Sequence, residues 1–179
     1  MNKLIFSSVL LLFCFNLSNA QLLKIGVKAG ANYANFESST LQTDAITSYH
    51  AGLVAEIKLI NVLSLQPEIL YSTQGASYKN AVEEFKAELG YISVPILAKL
   101  NLGKIISIDA GPQFSYLLSK KVDASTDINE FDFAVAGGLT FKLTENFFLQ
   151  GRYTLGLSEI DKNADYKNSV GQLSVGFMF

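Results

Sequence analysis

Between Tyr49 and Ser72 the chain alternates side-chain character one residue at a time. Tyr49, Ala51, Leu53, Ala55, Ile57 and Leu59 interleave with His50, Gly52, Val54, Glu56 and Lys58. After Ile60-Asn61-Val62 the alternation resumes: Leu63, Leu65, Pro67, Ile69 and Tyr71 against Ser64, Gln66, Glu68, Leu70 and Ser72. A period of two puts successive side chains on opposite faces of an extended strand, whereas a helix needs a period of 3.6. The stretch from Tyr49 to Gly75 therefore reads as two strands folded back on each other at the Ile60-Asn61-Val62 turn. One face is apolar and the other is mostly polar.

The same parity recurs along the rest of the chain. Strand one covers about Leu23 to Phe36, strand four runs to Asn101, and strand five starts at Ile106. Strand six covers Phe131 to Lys142, strand seven Phe147 to Gly156, and strand eight ends at Phe179. The connections alternate in length. Glu37 to Ile46, Ala76 to Ala87, Lys120 to Glu130 and Ser158 to Tyr166 are long and polar. The turns at Ile60-Asn61-Val62, Asn101-Leu102-Gly103-Lys104 and Thr144-Glu145-Asn146 are tight. Bacterial outer-membrane barrels have an even strand number, short periplasmic turns and longer external loops. The expected fold is an all-β, eight-stranded antiparallel transmembrane up-and-down barrel with four longer external loops.

Composition decides which solvent the apolar face meets. Charged residues make up 17% of the chain, against about 25% in an average soluble domain. No stretch after the N-terminus has the ~18 uninterrupted apolar residues of a membrane helix. An apolar excess spread thinly over alternating strands points to lipid on the outside. Tyr33, Tyr71, Tyr116, Phe147, Phe177 and Phe179 fall near strand ends, where interfacial aromatic girdles form.

Residues 1–20 read as a targeting segment. Lys3 supplies the positive start, Leu4 to Phe15 the apolar core and Ser18-Asn19-Ala20 the cleavage site. Cleavage between Ala20 and Gln21 leaves residues 21–179 as one barrel domain bound for the cell outer membrane. Cys14 lies inside the leader, so the mature chain has no cysteine for a disulfide, metal site or nucleophile. Loss of Lys3 moves the formal charge from -2 to -3, too small a value to imply a nucleic-acid partner.

The polar face collects Lys28, Glu56, Lys58, Glu68, Lys99, Asp109, Asp132, Lys142 and Arg152. Charges held away from water must be paired, so an interior ion-pair network is expected, with Glu68 set against Lys99 and Lys99 against Asp109. An eight-stranded barrel is only wide enough for its side chains to fill, which predicts a non-conducting interior. His50 is the sole histidine and is placed at the rim. No nucleophile elbow, phosphate-cradling loop or paired metal-ligand spacing occurs, so no catalytic, cofactor or metal residue is assigned. Pro67 lacks a ladder donor and predicts a bulge or a missing hydrogen bond.

The segments Gly26 to Phe36, His50 to Leu59, Ser64 to Tyr78, Tyr91 to Leu100, Ile108 to Lys121 and Phe131 to Ile160 resemble the PorT-type outer-membrane β-barrel proteins of Bacteroidetes. The resemblance covers essentially the whole mature chain. Asp109 departs from it, standing where a Glu is usual before Ala-Gly-Pro-Gln. The resemblance implies a non-enzymatic envelope protein, acting as a structural element or through its external loops. The alternative it implies is a component of a type IX secretion or other transport complex. Outer-membrane lipid and envelope proteins are the implied partners. Phe177 and Phe179 resemble the terminal aromatic signal read by the barrel assembly machinery, with Ser174 where Gly is preferred.

Overall fold

A computed structural model describes residues 22–37, 44–79, 84–121, 130–158 and 167–179. The targeting segment and most of the four long connections lie outside the described residues. Eight strands follow one another: β1 (Leu23–Glu37), β2 (Asp44–Lys58), β3 (Leu63–Lys79), β4 (Glu84–Leu102), β5 (Ile106–Lys121), β6 (Phe131–Lys142), β7 (Phe147–Gly156) and β8 (Lys167–Met178). Each pairs antiparallel with its sequence neighbour, and β1 pairs with β8 to close the sheet into a barrel. The register Val27↔Phe177 and Tyr33↔Gly171 joins first strand to last.

The sorting of side chains is inverted relative to a soluble protein. Leu53, Ile69, Leu100, Ile108, Leu139, Leu155 and Val175 point outward and are exposed, while among the described residues buried polar and charged ones outnumber buried apolar ones. On β7 the alternation of exposed and buried positions is unbroken from Phe147 to Gly156. Such an arrangement is stable only where the outer solvent is hydrocarbon.

Strand ends differ from the sequence expectation. The β3–β4 ladder continues through Tyr78↔Phe85 to Lys79↔Glu84, inside the stretch expected to be a polar connection from Ala76 to Ala87. β2 likewise begins at Asp44, and β5 runs on to Lys121. Backbone pairing does not require an apolar face. A hairpin can keep its ladder past the point where the apolar–polar alternation of the sequence ends, and there the periodic signal disappears.

Of the two outcomes expected at Pro67, a bulge or a missing hydrogen bond, there is no bulge but the β2–β3 pairing is interrupted. The β2–β3 register is the same before and after it, Val54↔Glu68 and Ile57↔Leu65, although the pairing skips the residues between. The register shifts fall instead between Ala45 and His50 on β2 and between Gly90 and Tyr91 on β4. At the tight-turn end, Gly103 has φ 85, a conformation that favours glycine. Thr144 Oγ1 accepts from the N–H groups of Asn146 at 3.2 Å and Phe147 at 2.9 Å, closing the β6–β7 turn.

Small residues let the wall bend inward. A Cβ at Gly52 would run into the carbonyl oxygen of Ile69 on β3, and one at Gly176 into the ring of Phe148. Two stability outcomes follow. Gly52→Val should lower the unfolding free energy of the barrel, measured by urea titration in lipid vesicles, by roughly 1–3 kcal/mol, since the obstacle is backbone and cannot swing aside. Leu53→Arg, about midway along the outer face of β2, should cost about 2–4 kcal/mol in the same assay.

Candidate functional site

The chemistry-bearing side chains converge in the lumen. Glu68 on β3 is the hub. Arg152 on β7 grips it bidentately, Nη1 donating to Oε2 at 2.8 Å and Nη2 to Oε1 at 2.7 Å. Lys28 on β1 lies 2.9 Å from Oε2, and all three side chains are fully removed from solvent. Two parallel N–H···O bonds make this the strongest form of side-chain ion pair.

Glutamines connect the charges. Gln150 Oε1 accepts from Lys28 at 2.8 Å and from Arg152 at 3.1 Å. Its Nε2 donates to Asp109 Oδ2 and to Thr140 Oγ1, both at 3.1 Å. Thr140 Oγ1 donates to the same carboxylate oxygen at 3.0 Å. Gln66 Nε2 donates to Glu68 Oε1 at 2.6 Å, and its Oε1 accepts from Lys99 Nζ at 2.9 Å. Lys99 also meets Glu56 at 2.9 Å. The network thus runs through two layers, one around Glu68 and one near the tight turns. Beside the second layer Val54, Phe148 and Met178 form an apolar plug, with Lys99 Nζ 5.9 Å from the Phe148 ring centre.

The expected ion pairs are not those formed. Lys99 and Asp109 are register partners, yet Lys99 turns to Glu56 and Asp109 lies 3.7 Å from Arg152. Glu68 is taken by Arg152 and Lys28. Long side chains in a narrow lumen reach across it, so the nearest strand in sequence does not dictate the partner. Asp132 is buried and accepts from Ser158 Oγ at 2.6 Å. Lys142 is half-buried at the end of β6. Lys58 is the departure: it shares the inward parity but ends β2 beyond the packed lumen, where it is exposed.

His50 is not at the rim. It is 1% exposed, because β2 extends outward past it to Asp44. Its Nδ1 lies 2.7 Å from Asn32 Oδ1, and its Nε2 lies 2.7 Å from Ser174 Oγ. Asn32 Nδ2 donates to the carbonyls of Tyr49 and Thr73 at 3.1 and 2.7 Å and to Ser72 Oγ at 3.0 Å. Carbonyls only accept, so Asn32 Oδ1 must face the ring, and in the uncharged imidazole Nδ1 carries the proton. Ser174 O–H then donates to Nε2. The order Ser–His–Asn is that of an activated nucleophile, and sequence separation concealed it. Ser174 is 2% exposed, however, and its hydroxyl is held in a hydrogen bond inside the barrel.

On the outer surface Tyr33, Tyr71 and Tyr116 are exposed toward the long-connection end. Tyr49, not anticipated, joins Tyr71 at 6.3 Å between ring centres. At the tight-turn end Phe177 stacks edge-on against both Phe147 at 4.8 Å and Phe179 at 5.4 Å. Among the described residues no group of three or more metal-ligating side chains gathers.

Residues 19–162 match a family model described as outer membrane protein beta-barrel domain. Among solved structures the chain is similar to Neisserial surface protein A, at 16% identity and a TM-score of 0.60, covering 87% of this chain and 97% of that one. It is also similar to Ail, the attachment invasion locus protein of Yersinia pestis, at 15% identity and a TM-score of 0.58, covering 87% and 98%. OprG from Pseudomonas aeruginosa aligns at 10% identity and a TM-score of 0.53, covering 88% and 94%. At these identities the likeness speaks to the fold alone. No curated protein sequence matches the chain.

Arg152→Met should destabilise the barrel by about 3–5 kcal/mol, because it strands Glu68 and Asp109 with too little positive charge. The double change Glu68→Gln with Arg152→Met should recover part of that loss in the same urea titration. Equal losses for the single and double variants would show that the pair is not the hub.

Proposed function

The chain belongs to the outer membrane protein beta-barrel domain family, and from that premise we propose a non-conducting, non-enzymatic envelope barrel that acts through its four longer connections. The observation that carries this reading is the packed lumen. Glu68, Arg152, Lys28, Gln150, Gln66 and Lys99 are buried and hydrogen-bonded to one another across the barrel axis. A pore needs a continuous water column, and this layer occupies its place.

The tight turns face the periplasm in this reading, and the longer connections face the outside, the arrangement common to bacterial barrels. Residues 1–20 are removed at Ala20–Gln21 during export. Phe177 and Phe179 present the terminal signal to the barrel assembly machinery. The finer family placement is with the PorT-type barrels of Bacteroidetes, on the sequence resemblance set out above. Envelope proteins are the partners of the outer connections. Membership of a secretion complex is the narrower form of the same idea. Purification in mild detergent tests it: recovery with secretion subunits favours the complex, and recovery alone favours the free barrel.

Two measurements test the main reading. In planar lipid bilayers the purified protein should give no large, stable conductance step, and discrete reproducible steps would overturn the closed lumen. A fluorophosphonate probe should leave Ser174 unmodified in the folded barrel. Labelling that disappears in His50→Ala would reveal a working nucleophile and sink the non-enzymatic assignment.

A further inference from the structure

Each of the three tight turns at one end of the barrel carries an exposed aliphatic side chain among its polar residues. Ile60, Ile105 and Leu143 stand on them at 58%, 61% and 61% exposure. Turns in water favour Gly, Asn, Asp and Ser, which solvate the freed backbone. Four lysines are set around the same rim: Lys24 near the start of β1, Lys58 at the end of β2, Lys104 in the β4–β5 turn and Lys142 at the end of β6. The first three are exposed and Lys142 is half-buried. Acidic side chains do not balance them. Among the described residues Glu145 is the exposed side-chain carboxylate at this end, while Glu56 is turned inward onto Lys99; both also lie within electrostatic reach of Lys142, so two carboxylates stand against four lysines.

A rim both aliphatic and cationic matches one chemical environment well. In the headgroup layer of a membrane, aliphatic tips enter the acyl boundary and ammonium groups reach the phosphates above it. Water would leave the aliphatic tips unsolvated, and a neutral headgroup layer would leave the lysines in excess of the carboxylates beside them. We propose that the tight-turn end is a docking surface for anionic phospholipid headgroups, with Lys24, Lys58, Lys104 and Lys142 as the phosphate contacts. The surface anchors the barrel at a set depth and gathers anionic lipid around that rim. It rests on the periplasmic placement of the turns only for which leaflet supplies the lipid.

The test is spin-labelled lipid selectivity measured by electron paramagnetic resonance on the full mature chain in phosphatidylcholine vesicles. At low salt, spin-labelled phosphatidylglycerol should be immobilised in preference to spin-labelled phosphatidylcholine, by about twofold or more averaged over the lipid shell. The preference should fall at high salt. It should be lost when all four lysines become Gln and kept when all four become Arg, with heat-modifiable gel mobility verifying that each variant is folded. Equal immobilisation of the two probes, or a preference untouched by the Gln changes, overturns the proposal. Loss of the preference on adding inorganic phosphate at constant ionic strength would assign the rim to a soluble anion and likewise overturn it. Asn61→Cys, labelled on intact cells with an impermeant maleimide, reads sidedness separately. Labelling from outside refutes the periplasmic placement and leaves the vesicle result standing.

Discussion

Hydrocarbon offers a backbone no hydrogen-bonding partner, and every other feature of this barrel follows from that constraint. A sheet can cross a bilayer only if it has no edge, so β1 must find β8, and it does so from Gly26↔Met178 to Glu37↔Lys167. Closure then leaves each side chain two destinations. One parity faces lipid, and the other faces a lumen too narrow for bulk water. The alternation visible in a single hairpin becomes a cylinder that is apolar outside and polar inside.

The lumen meets the opposite problem. Charges taken out of water are stabilising only when geometry and hydrogen bonding compensate their desolvation. Three cations, Lys28, Lys99 and Arg152, face three anions, Glu56, Glu68 and Asp109, and the amides of Gln66 and Gln150 bridge them. Wall and filling are coupled. Where a long side chain needs space, as at Phe148, the facing residue is a glycine.

The inward charges were legible because parity alone assigns a face. Their partners were not. Lys99 sits opposite Asp109 in register, and a reading along the sheet pairs them, but an ammonium on a four-carbon stem reaches over the lumen to Glu56. His50, Asn32 and Ser174 lie on three strands and meet only because the barrel closes. Strand ends are hidden in the sequence for a related reason. Beyond the apolar band the residue-by-residue alternation of apolar and polar types ends in the sequence, so the segments paired from Gly75↔Glu88 to Lys79↔Glu84 leave no periodic trace although their backbones are paired.

The sequence by itself determined the strand count, the antiparallel order, the inside-out parity and the need for lipid, because each is a property of nearest-neighbour alternation and connection length. Only the tertiary structure decided the register of closure, which carboxylate each cation takes, the burial of His50 and the extent of the ladders past the apolar band. Those depend on distances across a closed cylinder, and a linear pattern with a period of two carries no information about what faces it from the far wall.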